Sequence, residues 1–436
     1  MKAKKALPVG VKYVQTKGGI SEYRLETNGL RILHRQESVA PVIMVMITFH
    51  VGSRNEAAGY TGATHILEHL LFKGSKKFNK KNGKTADRLL STIGAKLNAT
   101  TWMDRTNYWE VVPKEHVELA LAIEADRLRG ALFTGNDLKS EMTVVRNEYE
   151  RGKNDPMQVL DEEIWATAYH AHPYHHPTIG WKSDIENVPV ERLRHFYDTF
   201  YWPNNATLTI LGDISSAKAL QLAKKYFDEI PKAPEPIPVV YTVEPPQEGP
   251  RYVEVRREGQ TTNLVAVAHK VPEGRNADTH ALQVLSKILS GGKGSRLHKA
   301  LVDRGLAADV MVFDFAFHDP GLFITYAYLT HGTKHETVQR IIEDTYRDLA
   351  VKGPSNREVE RAKQQLLVEL AFLRDGIYKE GSVLNEAIAL GDWTFFATFL
   401  DKIQDVTRGK IQKVTAKYFT KSAETSGHFI GTGAQS

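Results

Sequence analysis

The chain reads as an α+β protein built from two copies of one unit, each a mixed, largely antiparallel sheet packed with helices. Three observations predict this. Strand-type alternation and helical apolar periodicity intermix along the whole length. One proline-rich stretch breaks the pattern near the middle, at Pro231, Pro234, Pro236 and Pro238 and again at Pro245, Pro246 and Pro250. The order of elements beyond that stretch repeats the order before it. With 436 residues, 42% hydrophobic and 25% charged, there is material for more than one core. The expected division is a first domain over 1–232, a linker over 233–250 and a second domain over 251–436.

Val42 to Val51, rich in Val, Ile, Met and Phe, reads as a strand, and Gly52-Ser53-Arg54-Asn55 turns the chain into a helix at Thr64 to Phe72. Leu67, Leu70 and Leu71 form that helix's apolar stripe, and Lys73-Gly74-Ser75 stops it. A helix from Thr85 to Ile93 ends at Gly94. Ala95 to Trp102 and Thr106 to Val112 alternate as a hairpin. Helices follow at Lys114 to Gly130, Asp137 to Gly152 and Met157 to Tyr169, then a loop around Pro173 and Pro177, a helix from Val190, a strand Ala206 to Leu211 and a helix to Phe227. Past the linker come a strand Asn263 to Val271, a helix Asp278 to Leu289, strands near Val310 to Phe317 and Gly321 to Leu329, and long helices. Each half closes alike: Tyr201 precedes a β-rich run to Gly212, and Tyr418 precedes His428 to Gly431.

A net charge of +5 without a long basic block points away from nucleic acid; Lys76-Lys77 and Lys80-Lys81 read as a solvated loop. No apolar run is long enough for a membrane span, and Met1-Lys2-Ala3-Lys4-Lys5 has no hydrophobic stretch after it, so no signal peptide is expected in the chain as it stands. With no cysteine, disulfides and thiolate ligands are excluded, and any metal must be held by histidine and carboxylate.

Such a set is present. In His65-Ile66-Leu67-Glu68-His69, two histidines four apart share one helix face, and Glu68 lies beside them. Paired neutral imidazoles suit zinc, which in a catalytic site takes a third protein ligand and keeps one position for water; a neighbouring carboxylate can take that water's proton. The helix Asp137 to Gly152 carries Glu141, Glu148 and Glu150. Glu141 and Glu148, two turns apart, share a face, so either could ligate while the other supports it, whereas Glu150 points elsewhere. The counterpart helix Asp278 to Leu289 has His280 but no such motif, so only the first copy is expected to hold metal.

These residues resemble the pitrilysin/insulinase zinc peptidases, the inverzincins. The likeness lies in His65-x-x-Glu68-His69, Asn98-Ala99-Thr100, Asp104-x-Thr106-x-Tyr108, Glu141 and Arg146-Asn147-Glu148, and continues through His172-Pro173-Tyr174, Gly180, Gly291-Gly292 and Ser295-Arg296-Leu297. In length the chain is similar to one subunit of the mitochondrial processing peptidase. The resemblance implies one zinc per chain on His65, His69 and Glu148, with Glu68 as general base and Glu141 as a supporting carboxylate. It implies further that Phe72 lines the pocket beyond the scissile bond and that Asn98 and Ala99 lie on an edge strand where peptide substrate pairs in extended form. The cluster His170, His172, His175 and His176 is expected to be structural.

One departure bears on partners. Relatives of this kind place an arginine in the second half and, seven residues on, a tyrosine after Gly-Leu-Ala. Here Gly305-Leu306-Ala307 is followed by Ala308, the arginine position falls on Leu301 or Val302, and Arg304 has Met311 seven beyond it. The expectation is a zinc-dependent endopeptidase subunit whose homologous partner supplies the Arg/Tyr pair, the alternative being a non-catalytic scaffold subunit. The resemblance points to the periplasm, with the cytoplasm as the other compartment.

Overall fold

The computed structural model describes residues 7–373 and 375–433. It divides into two compact units, one formed by Met1–Asn147, Pro177–Tyr241 and Leu373–Ala389, the other by Glu148–His176, Thr242–Phe372 and Leu390–Ser436.

The first unit holds a seven-stranded sheet of β1 (Val11–Lys17), β2 (Ile20–Leu25), β3 (Arg31–Gln36), β4 (Val42–Phe49), β5 (Lys96–Thr101), β6 (Thr106–Pro113) and β7 (Ala206–Gly212), in the order β1-β2-β3-β7-β4-β6-β5. Only β3 and β7 pair in parallel; the other pairings are antiparallel. β4 and β7 are buried almost throughout, and β4 reads as a near-continuous apolar run because helices pack on both of its faces. The Val117–Gly130 helix packs on β4 and β6, and the Ile377–Ala389 helix on β4 and β7. That second contact is close. A Cβ on Gly381 would sit 2.1 Å from Met44 Cε, so any larger residue there would have to displace the Met44 side chain. Polar pairs pin it as well: Thr48 Oγ1 donates to Asn385 Oδ1 at 2.7 Å, and Arg35 meets Glu380 at 2.6 Å. β5 is an edge, and its side chains alternate between exposure and burial.

The second unit holds β8 (Arg251–Arg257), β9 (Asn263–Lys270), β10 (Ala307–Asp314), β11 (Leu322–Leu329) and β12 (Glu424–Gly431), in the order β10-β11-β9-β12-β8. Its core lies between one sheet face and the Thr279–Ser290, His335–Lys352, Asn356–Leu373 and Arg408–Tyr418 helices, with Val265, Val267, Leu285, Ile342 and Val414 among its members. The Pro156–Ala168 helix covers β8, β9 and β12. Gly427 admits it, since a Cβ there would lie 2.9 Å from Ile164 Cδ1.

Written from its other edge, the second sheet is β8-β12-β9-β11-β10, matching β3-β7-β4-β6-β5 strand for strand, and the parallel pair falls at the same place in each. The duplication is therefore topological, with the β1–β2 hairpin added to the first copy. The helices Pro156–Ala168 and Ile377–Ala389 occupy the same place in their respective copies, yet each belongs to the unit built mainly from the other half of the chain. Sequence periodicity does not register that exchange, because the apolar face of a helix carries no label for the sheet it covers. Strands β1, β2, β3 and β8 also escape the sequence reading: β1 and β8 are edges whose polar composition hides the alternation, and β2 and β3 are six-residue runs interrupted by charged and polar residues.

Candidate metal centre

The Ala63–Leu70 helix starts from a rigid socket. Gly62 precedes it at φ 85°, a left-handed conformation that favours glycine, and a Cβ there would lie 2.4 Å from the Ile179 carbonyl oxygen. Buried Glu56 caps the helix, accepting hydrogen bonds from the backbone N–H of Gly62 and of Thr64, each at 2.7 Å. Burial nonetheless lifts its carboxyl to about 8 against those donors. Asp184 braces the preceding turn, accepting from Gly59 N, Thr61 N and Thr61 Oγ1.

Ala63, Thr64, Ile66, Leu67 and Leu70 face the core, which leaves His65, Glu68 and His69 together on the half-buried face. The two Nε2 atoms lie 3.3 Å apart. Two nitrogens bound to one tetrahedral zinc at about 2.0–2.1 Å would be separated by about 3.3–3.4 Å, so the spacing is that of a shared ion. Burial, followed by the nearby His69, lowers the His65 pKa to about 4, so its imidazole is neutral near pH 7 and offers a lone pair.

The Gly135–Lys153 helix begins within the first unit and runs unbroken past Asn147. It carries both candidate carboxylates, and the two are not equivalent. Glu148 forms a group with His65 and His69 in which one potential ligand atom from each lies within 4.8 Å of the others. Glu141 instead places Oε2 3.2 Å from Nδ1 of His69, on the far side of that ring, while Lys73 holds its other oxygen. Two imidazoles and a carboxylate are a donor set zinc accepts. Among the described residues no other cluster of this kind occurs. His172 pairs with Asp319 at 3.1 Å, the N–H groups of His170, Ala171 and His172 converge on Glu244, and His280 stacks on Phe395.

Glu68 is held from the edge strand, where Thr101 Oγ1 donates to its Oε2 at 2.5 Å. Asn98, exposed, and Ala99, buried, lie on that same strand. Phe72 sits just past the helix, 38% exposed, with its ring 5.8 Å from Tyr108 and the Arg127 guanidinium 5.0 Å away. Behind it, Arg127 is paired with buried Glu124 at 2.9 Å, and Glu110 is held well above the usual carboxylate range by burial and by Glu124. Sequence reasoning missed Glu56, Lys73 and Thr101. Thr101 had a legible signal, since it falls on the same face of β5 as Ala99; Lys73 and Glu56 had none, because their partners are chosen by packing. In the second unit Leu301 is fully buried and Ala308 is exposed on β10.

A duplicated α+β frame bearing one two-imidazole, one-carboxylate group is the arrangement to set beside known metallopeptidase folds. The chain belongs to the insulinase family, peptidase family M16. Residues 31–182 match "Insulinase (Peptidase family M16)" and residues 187–366 match "Peptidase M16 inactive domain". It is 31% identical over 410 residues to the zinc protease PqqE of Helicobacter pylori, covering 92% of this chain and 90% of that one. It is 27% identical to the probable mitochondrial-processing peptidase subunit beta of Schizosaccharomyces pombe, over 80% of this chain and 77% of that one. Among solved structures, a protease from Helicobacter pylori superposes with a TM-score of 0.88 at 27% identity, covering 96% of this chain and 99% of that one.

Proposed function

We propose that this chain is a zinc-dependent endopeptidase acting on peptides or unfolded segments paired in extended form along β5, and that it is the zinc-bearing subunit of a heterodimer. The observation carrying this reading is the convergence of His65, His69 and Glu148, with Glu68 beside them and outside the ligand set.

A zinc ion held by those three residues would lower the pKa of its water toward about 7 and polarise the peptide carbonyl. The chain's own groups do the rest. Glu141 accepts from Nδ1 of His69, which fixes the tautomer with its lone pair on Nε2, the nitrogen that would ligate. Lys73 fixes Glu141 in turn. Glu68, oriented by Thr101, takes a proton from the attacking water and returns it to the leaving nitrogen. Along β5, Asn98 and Ala99 offer main-chain groups to which many sequences can bind, and Phe72 lines the wall beyond the bond that is cut.

The heterodimer is supported by what the second half lacks. The side chains of Leu301, Val302 and Ala308 carry no hydrogen-bond donor, so none of them replaces the missing Arg/Tyr pair, and a homologous sister chain carrying arginine and tyrosine would supply that contact. The match of residues 187–366 to a domain described as inactive favours a second reading, a non-catalytic subunit. Elemental analysis and a quenched-peptide assay separate the two. The purified chain should hold one zinc and turn over slowly, then rapidly with the sister chain; a fully active homodimer would refute the heterodimer, and silence with every sister chain would favour the scaffold. The periplasm is the compartment we propose, on family resemblance, and cell fractionation tests it.

A further inference from the structure

The face of the first sheet turned away from the metal helix carries a cleft that the reading above does not use. It has a volume of about 690 Å³ and lies under the beginning of β5, lined by Trp109 and Val111 of β6, Lys96 of β5, Val42 of β4 and the start of the Ile377–Ala389 helix. Clefts that hold ligands fall in the range of about 300–1,000 Å³ and combine apolar walls with few polar groups. Trp109 and Tyr378 form an aromatic corner, their ring centroids 4.3 Å apart. Tyr378 is 40% exposed, and Val39, another lining residue, is 89% exposed, so the cleft presents large apolar side chains to solvent.

The pleat connects this cleft to the metal helix. Thr101, which touches Glu68, lies on the metal side of β5 with Ala99 and Leu97, whereas Thr100, Asn98 and Lys96 point to the opposite face. Cross-strand pairing places Asn98 beside Trp109 and Lys96 beside Val111. A peptide added to the free edge of β5 must alternate likewise, so its residue opposite Lys96 projects toward the cleft. Lys96 is five positions from Thr101, roughly 17 Å along an extended strand.

We propose that this cleft is a distal subsite for one bulky apolar side chain of the substrate, an aromatic above all, about five residues from the bond beside Glu68. The assignment rests on the edge-strand reading of the preceding subsection. Its occupant is set by continuity: the cleft opens at an unpaired sheet edge, its corner is aromatic, and the charge of Arg35 at its rim is engaged by Glu37 and Glu380.

The test uses the zinc-loaded full chain and extended alanine-serine peptides in which a phosphinate, a zinc-directed group, replaces one peptide bond and fixes the register without turnover. A single phenylalanine is walked through the remaining positions and the dissociation constant measured. Phenylalanine five residues from the phosphinate on one side should tighten binding about tenfold or more, and at four or six should give no such gain. Tyr378→Ser and, separately, Val39→Glu should abolish the gain while leaving the phenylalanine-free peptide's affinity unchanged. A flat walk, a gain without the odd-even dependence, or a gain that survives both variants would overturn the subsite alone. Phosphinate peptides binding no better than their all-amide counterparts would overturn the zinc-site reading, and the subsite with it.

Discussion

The helices Ala63–Leu70 and Thr279–Ser290 occupy the same place in the two copies, after β4 and after β9, and share one pattern of packed positions. Ile66, Leu67, Leu70 and Leu71 are buried in the first; Val284, Leu285, Ile288 and Leu289 are buried in the second with the same spacing. In that register His65 stands where Gln283 does, Glu68 where Ser286 does, and His69 where Lys287 does. The carboxylate arriving from the long helix has its counterpart too. Glu148 is thirteen residues from the start of Gly135–Lys153, and Glu369 thirteen from the start of Asn356–Leu373. In the second copy Glu369 pairs with Lys287 at 2.8 Å; in the first, Glu148 approaches two imidazoles. One scaffold thus holds an ordinary ion pair in one copy and a metal-binding group in the other, and the residues at three positions of the helix make the difference.

The comparison is broken most completely by His69→Lys, which gives the first helix the second's residue. Zinc should fall from one per chain to a small fraction by elemental analysis, a larger loss than the roughly 10–100-fold in affinity expected when a supporting residue is changed. Glu68→Gln should keep zinc and lower turnover about 10²–10⁴-fold, measured with whichever sister chain restores activity; normal cleavage would show that the base lies elsewhere. Glu141→Gln should weaken zinc about 10–100-fold in a chelator competition while leaving the fold intact. Glu56 sharpens the contrast through pH. Its carboxyl lies at about 8 in the folded chain, above the usual range near 4.5, so the native state binds the extra proton and stability falls as pH rises between the two values. Glu56→Gln should flatten the decline in unfolding free energy from about pH 5 to 8, by an amount on the order of a few kcal/mol, as read by denaturant titration at each pH. The smallest effect belongs to the second copy. Lys287→Ala removes a partly exposed ion pair and should change stability by less than about 1 kcal/mol in denaturant titration, with zinc untouched.

Much of this was legible without coordinates. The His65-to-His69 spacing needs only helical periodicity to place both rings on one face, and the alternation of Lys96 to Thr101 marks the strand beside them. The duplication was legible as a repeated order of elements around the proline-rich stretch. Less was readable elsewhere: β1 and β8 are polar edges, β2 and β3 are short runs of mixed composition, and the Lys114–His116 turn precedes a helix that begins at Val117.

What the chain determines by itself is whatever depends on neighbours a few residues apart: the paired imidazoles, the acid between them, the absence of thiolate. Which distant glutamate approaches those rings, which hydroxyl steadies Glu68, and which sheet each exchanged helix covers were decided by tertiary packing alone. The reason is range. Backbone periodicity sets the direction of a side chain relative to its own helix or strand, but the atoms that direction meets belong to segments tens to hundreds of residues away, brought there by burial of apolar faces that do not encode the polar contacts beside them.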